Sequence, residues 1–221
     1  MSEPRPTLAI LGGSGQQGSG LALRWAQAGY TIIIGTRSPD KTRVLCQEWN
    51  ARIGRAAIHQ DSYRGAAGAA QIVVLTVPYA AQQTTVEEVR AELDGKILID
   101  ATVPLQPPKV ARVQLPPGGS AVAAMQAMLG ERVKVVSAFQ NVSAQHLHDF
   151  DHAIDCDVLV CGDDPAAREA VIQLAGAIGL RALHAGPIVN SAAAEALTSI
   201  LISVNARYKS AGSGIRITGL P

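Results

Sequence analysis

The chain has 221 residues, 19 Lys and Arg against 18 Asp and Glu, and a formal net charge of +1. That balance leaves no electrostatic footprint for nucleic acid or an anionic membrane, and no run approaches the ~18 apolar residues of a membrane span. Its three cysteines, Cys46, Cys156 and Cys161, form no C-x-x-C pair and read as buried free thiols in a reducing compartment.

The length allows one sizeable domain with a small appendage. With two Phe, four Tyr and two Trp, the core must be built from Ala, Val, Ile and Leu. The opening MSEPRPT lacks the apolar stretch of a secretory signal, so a cytoplasmic location is expected.

In chain order, an apolar strand over Leu8–Leu11 runs into a G-x-G-x-x-G fingerprint of Gly13, Gly15 and Gly18. A helix over 16–28 follows. In this strand–turn–helix context Gly13 permits the tight turn, Gly15 lets a pyrophosphate reach bare backbone, and Gly18 brings helix and strand together. The helix end then aims free N–H groups and a positive dipole end at the phosphates. The alternative is a glycine-rich turn serving packing alone.

A second strand over 31–35 ends in Thr36-Arg37-Ser38-Pro39-Asp40-Lys41. NAD sites usually carry Asp or Glu about 20 residues past the fingerprint, where it accepts from both ribose hydroxyls. Here Thr36 and Arg37 stand there instead, and Arg37 suits a 2′-phosphate. Ser38 and Pro39 read as N-cap and N1 of a helix over 40–52, and Lys41 adds a further positive charge. NADP is therefore expected rather than NAD.

Strands over 57–59, 72–77, 96–100 and 133–139 alternate with helices over Tyr63–Ala69, 80–93 and 120–129. Six strands in succession supply the two βαβαβ halves of a Rossmann-type, doubly wound parallel sheet in the α/β class. Pro78 stops the fourth strand, and Pro104, Pro107 and Pro108 make an irregular loop over 102–117 at the carboxyl edge. The pattern then restarts with a strand over 156–162, a helix over 165–178, a strand over 180–184 and a helix over 191–209. This divides the chain into a nucleotide-binding domain, residues 1–139, and a small C-terminal α/β lid domain, residues 140–221.

The stretches GGSGQQGSG, GTRSPDK, VVLTVPY, VVSAFQNVSA, VLVCGDD and AGPIVNSAAAEALT stand in the order and spacing of a known family. Together they resemble the NADPH-dependent reductases of coenzyme F-420, an 8-hydroxy-5-deazaflavin, from Thr7 to about Lys209. The resemblance implies hydride exchange between nicotinamide C4 and deazaflavin C5, in either direction, without metal or covalent intermediate. It implies that Ser14, Gln16, Gln17, Thr36, Arg37, Lys41, Thr76, Val77 and Pro78 line the NADP site. Gln140, Asn141 and Val142 would lie against the deazaflavin, and Gln140 stands where many members carry His. Residues 140–221 would thus form the deazaflavin-binding side.

Such a reaction needs two flat rings held face to face and away from water, since both cofactors carry the chemistry themselves. No catalytic acid or base is assigned; Gln140 and Asn141 are expected to orient the deazaflavin edge. The alternative for both is that they satisfy backbone groups at a strand end. The run from His146 to His152 looks superficially like a metal site but reads as a polar connector, and no metal is expected. Asp164 before Pro165 reads as a helix N-cap. Arg207, Lys209 and Arg216 are either a solvated end or an attractor for the acidic tail of the deazaflavin.

Two other classes stay open: a reductase of a flavin, ferric chelate or small imine on the same nucleotide half, and a non-catalytic NADP sensor. The expected partners are small molecules, with a homodimer left open.

Overall fold

The computed structural model describes residues 5–220. Six parallel strands, β1 Leu8–Leu11, β2 Ile32–Gly35, β3 Ile58–Asp61, β4 Ile72–Leu75, β5 Ile97–Asp100 and β6 Lys134–Ser137, stand in the order β3-β2-β1-β4-β5-β6. This is the strand order of a doubly wound nucleotide-binding sheet. The inner strands are short continuous apolar runs, as a parallel sheet covered on both faces requires. Along β1 the pleat sends Leu8 and Ile10 to one core and Ala9 and Leu11 to the other. The first core is closed by α1 Gln16–Gln27 and α2 Pro39–Ile53, the second by α3 Tyr63–Ala69, α4 Tyr79–Glu88 and α5 Ala121–Leu129.

Element ends differ from the sequence reading where a side chain or a turn intervenes. The fourth strand stops at Leu75, just before Thr76, whose N–H and hydroxyl both donate to the Leu11 carbonyl, at 2.9 and 3.0 Å. The helix expected over 80–93 breaks into α4 and a 3₁₀ turn, Arg90–Leu93, with Val86, Val89 and Leu93 all fully buried. The sixth strand ends at Ser137, two residues before Phe139 turns into the left-handed region at φ 72°. A short helix, α6 Ala144–Leu147, interrupts what the sequence suggests is plain connector.

The C-terminal strands, expected to build a lid over the sheet, instead continue it. Strand β7 Asp157–Gly162 runs antiparallel to β6, pairing Val136 with Gly162 and Ser137 with Cys161, and β8 Arg181–His184 runs parallel to β7. The outer edge of β6 would otherwise expose unpaired backbone, so an edge-on addition satisfies groups that a stacked lid would leave open. Between these strands α7 Pro165–Gly176 covers the first core, with Asp164 Oδ1 accepting the Ala167 N–H at 2.8 Å as its N-cap. The long α8 Ser191–Tyr208 then packs back on α5 and β7. The stretch Ile188–Tyr208 is long and apolar enough to cross a membrane by length and composition alone. Yet α8 buries Ser191, Glu195 and Ser199, which a lipid-facing helix does not offer.

One charged pair fastens the added strands. Asp157, fully buried, accepts from Arg181 Nε at 2.7 Å and Nη2 at 2.6 Å, and from the Ile217 N–H at 2.6 Å. These bonds, Arg181 foremost, hold its carboxyl down to about 2. A depressed folded-state value stabilises the fold above the ordinary carboxylate range and is lost as pH falls through 2. Asp157→Asn should therefore cost about 2–4 kcal/mol at pH 7 in urea unfolding. The gap from wild type should stay level down to about pH 4 and shrink towards pH 2; a gap independent of pH would remove the pair from the account.

Candidate functional site

The loop after β1 and the first turn of α1 carry four glycines with different surroundings. The positive φ falls at Gly12 (80°), so the turn assigned to Gly13 in the sequence belongs to its neighbour. Gly13 is required for another reason: a Cβ there would lie 2.8 Å from Ile34 Cδ1 and 2.9 Å from the Ile10 carbonyl. At Gly18 a Cβ would meet Thr76 Oγ1 at 2.5 Å and Gly13 Cα at 2.7 Å, so α1 can approach the sheet only without a side chain. At Gly15 the nearest atom is the Gly12 carbonyl at 3.3 Å, and the residue is exposed. Gly15 is the N-cap of α1 and has no side chain to cap the helix, so the first N–H groups are free for an anion.

At the end of β2, Ser38 and Pro39 do sit at N-cap and N1 of α2, but no serine side chain caps the helix. The buried hydroxyl of Thr36 organises the turn instead, accepting from the Ser38 N–H at 3.0 Å and from Thr42 Oγ1 at 2.8 Å. Arg37 is left exposed at the rim. Asp40 points away along α2, within 3.9 Å of Arg43.

A cleft of about 940 Å³ opens at the carboxyl edge, within the range of small-molecule sites. It gathers Ser14, Gly15, Gln16, Gln17, Arg37, Thr76, Val77 and Pro78 with Gln140, Asn141 and Val142. Of the other residues picked out from the sequence, Gly13, Gly18 and Thr36 act behind its wall, while Ser38 and Lys41 lie off it. The far wall comes from Leu105, Thr198, Leu201, Ile202 and Asn205, from the loop after β5 and from α8. Nothing local in the sequence marks these positions as lining rather than core.

Both amides expected to face a ring have their nitrogens committed. Gln140 Nε2 donates to the Asp100 carbonyl at 2.8 Å and to Ser137 Oγ at 2.9 Å; Asn141 Nδ2 donates to the Ala194 carbonyl at 2.8 Å and to Thr198 Oγ1 at 3.2 Å. Gln140 thus meets the strand-end carbonyl of Asp100, whereas Asn141 bonds to α8 through the Ala194 carbonyl and the Thr198 hydroxyl. Gln140 Oε1 and the Thr102 hydroxyl are buried at the cleft with no hydrogen-bond partner among the described residues. Such atoms are costly to leave open, so the floor favours a polar ligand edge or a bound water.

Two buried carboxylates carry no mark in the sequence, Asp100 next to the cleft residues Ala101 and Thr102 and Glu195 on α8. Asp100 ends β5 fully buried, with Oδ2 accepting from Gln82 Nε2 at 2.6 Å and Oδ1 from the Thr102 N–H at 2.8 Å. Glu195 of α8 reaches across to the N-terminus of α5, accepting from Ser120 Oγ at 2.6 Å and from the Ala121 N–H at 2.8 Å. Burial pushes both carboxyls above their ordinary values. A positive helix end facing Glu195 offsets part of that cost.

His146 and His152 stack with centroids 4.2 Å apart, and their carbonyls accept from Arg24. Arg216 is tied to Asp155 at 2.9 Å, leaving Arg207 and Lys209 exposed. Burial raises the Cys46 and Cys161 thiols to about 11 and also raises Cys156, so none is a ready nucleophile.

Residues 7–104 match the family described as NADP oxidoreductase, coenzyme F420-dependent. The chain is 42% identical to an F420-dependent NADP reductase of Methanocaldococcus jannaschii over 221 residues, covering 96% of this chain and 98% of that protein. The chain belongs to the F420-dependent NADP reductase family. A second member, from Methanothermobacter thermautotrophicus, is 38% identical over 97% of this chain and 95% of its own. The crystal structure of a putative F420-dependent NADP reductase from Arthrobacter sp. FB24 superposes with a TM-score of 0.84 at 25% identity, covering 97% of this chain and all of that one.

Gly18→Ala should lower stability by about 1–3 kcal/mol, the range for forcing extra volume into a packed site. Thermal unfolding checks this; an unchanged midpoint would mean that α1 can stand off the sheet.

Proposed function

We propose that the protein transfers a hydride between NADP(H) and the deazaflavin coenzyme F420, with no metal and no covalent intermediate. The observation that carries this reading is the single cleft lined both by the open phosphate loop with Arg37 and by Gln140, Asn141 and Val142. Family membership supports the choice of acceptor.

NADPH supplies the hydride from nicotinamide C4, and the deazaflavin receives it at C5. The chain's own residues bind and orient. Gly15 and the first turn of α1 hold the pyrophosphate, and Arg37 holds the 2′-phosphate, with Lys41 and the Ser38 N-terminal turn of α2 adding positive potential. Thr76, Val77 and Pro78 back the nicotinamide. The oxygen atoms of Gln140 and Asn141 face N–H donors of the deazaflavin, since their nitrogens are already spent on the protein. Apolar α8 side chains exclude water and keep the rings close. Residues 1–139 thus carry the nucleotide and 140–221 the acceptor side.

The enzyme works in the cytoplasm, where its buried thiols stay reduced. Exposed Val189, Ile200 and Tyr208 along the last helical stretch suit a second copy of the chain, giving a homodimer.

Mixing the protein anaerobically with NADPH and coenzyme F420 should bleach the oxidised deazaflavin catalytically. Flavin, ferric chelate and imine acceptors should turn over far more slowly. Arg37→Ala should weaken NADPH binding by about 1.5–3 kcal/mol, roughly 10- to 150-fold, and leave NADH nearly unaffected. Binding of NADPH with no turnover would favour a sensor; equal losses for both nucleotides would free Arg37 from the 2′-phosphate.

A further inference from the structure

Phe139 is the strained point of the cleft. It is a bulky residue at φ 72°, a backbone region that side chains seldom enter outside functional or over-determined sites. Several contacts hold it there. Its ring, 1% exposed, meets Trp25 edge-on at 5.6 Å. Its carbonyl accepts the Val142 N–H at 3.3 Å and the Gln17 side-chain amide, Nε2, at 3.1 Å. This kink is what reverses the chain after β6 and sets Gln140 and Asn141 at the cleft.

Gln17 sits in the first turn of α1, the turn that carries the free N–H groups. The segment beyond the kink is fastened to the same helix. Arg24 donates to the carbonyls of His146, Leu147, Asp149 and His152, and His148 Nε2 lies 2.9 Å from the Gln16 carbonyl. The stretch 139–152 therefore moves with α1, and Gln17 is the tie placed next to the acceptor residues.

Resting on the reading of this cleft as a site for both rings, we propose that Gln17 is a positioning residue that clamps the left-handed Phe139 and so couples the phosphate loop to the acceptor segment 140–142. A nucleotide phosphate held on the first turn of α1 fixes Gln17, Gln17 fixes the Phe139 carbonyl, and the acceptor side chains are then set before the acceptor arrives. Coupling of this kind is reciprocal: each ligand raises the affinity for the other by the same factor.

The test is Gln17→Met, which keeps length and bulk but removes the amide donor. In the full-length protein, hydrogen–deuterium exchange at residues 140–142 should quicken at least fivefold, with the Val142 amide most affected and α1 unchanged. The dissociation constant of coenzyme F420 should rise about five- to tenfold, and by more than that of NADPH. In wild type, NADP⁺ should tighten F420 binding severalfold; in the variant that factor should fall to about one. Unchanged exchange with unchanged F420 affinity would overturn the proposal. So would equal losses for both ligands, which would make Gln17 a phosphate ligand only. If wild type binds NADPH but no deazaflavin, the functional reading fails, and the exchange measurement still decides the clamp.

Discussion

A Cβ on Gly18 would stand 2.5 Å from Thr76 Oγ1 and 2.7 Å from Gly13 Cα, so the start of α1 lies against the loop after β1 and the residue after β4 with no space to spare. Much of the carboxyl edge hangs on that approach. Its N-terminal turn presents free N–H groups beside Gly15. One turn on, Ser19 Oγ bonds back to the Gly15 carbonyl at 2.8 Å and steadies the loop. Further along, Trp25 Nε1 donates to the Leu174 carbonyl at 2.9 Å, tying α1 to α7 and through it to the added strands. One helix thus positions the phosphate loop, the turn after β6 and the C-terminal third of the chain.

The other wall is held by polar groups that burial makes expensive to misplace. Asp100 and Glu195 are carboxylates with almost no exposure, each satisfied by several donors. Ser120 Oγ lies 2.6 Å from Ser191 Oγ and joins the same network. A half-satisfied buried network costs more than an apolar core, so these bonds enforce one arrangement of α5, α8 and the loop after β5. Both sides of the cleft are thus fastened by buried bonds, which suits the proposed role of holding two rings in contact.

Much of this was legible in the sequence, because the signals were local. A strand feeding glycines at fixed offsets and then a helix reads as one unit, and short runs such as LAIL and IVVL read as strands buried on both faces. Arg37 in place of an acid is a one-residue signal of charge. The rest depended on contacts distant in the chain. The positive φ falls at Gly12 rather than Gly13, and the glycine at 13 answers instead to Ile34 of β2, which fills the space beside it. Strand β7 reads as a strand in either setting; only the open edge of β6 decides that it extends the sheet antiparallel. The nitrogens of Gln140 and Asn141 were taken by Asp100, Ser137, Ala194 and Thr198, partners as far as 57 residues away. The left-handed Phe139 carries no sequence mark, since glycine or asparagine is the usual occupant of that region.

With nicotinamide and deazaflavin in one water-poor cleft, as proposed, the hydrogen passes directly from one ring to the other. The most direct measurement follows the label from NADPH carrying deuterium at nicotinamide C4, made separately in each of its two stereochemical forms. With one form, deuterium should appear at C5 of the reduced deazaflavin without washing out into water; with the other it should stay on the nicotinamide. Reduced deazaflavin carrying hydrogen from solvent at C5 with both forms would contradict direct transfer, and with it the shared cleft.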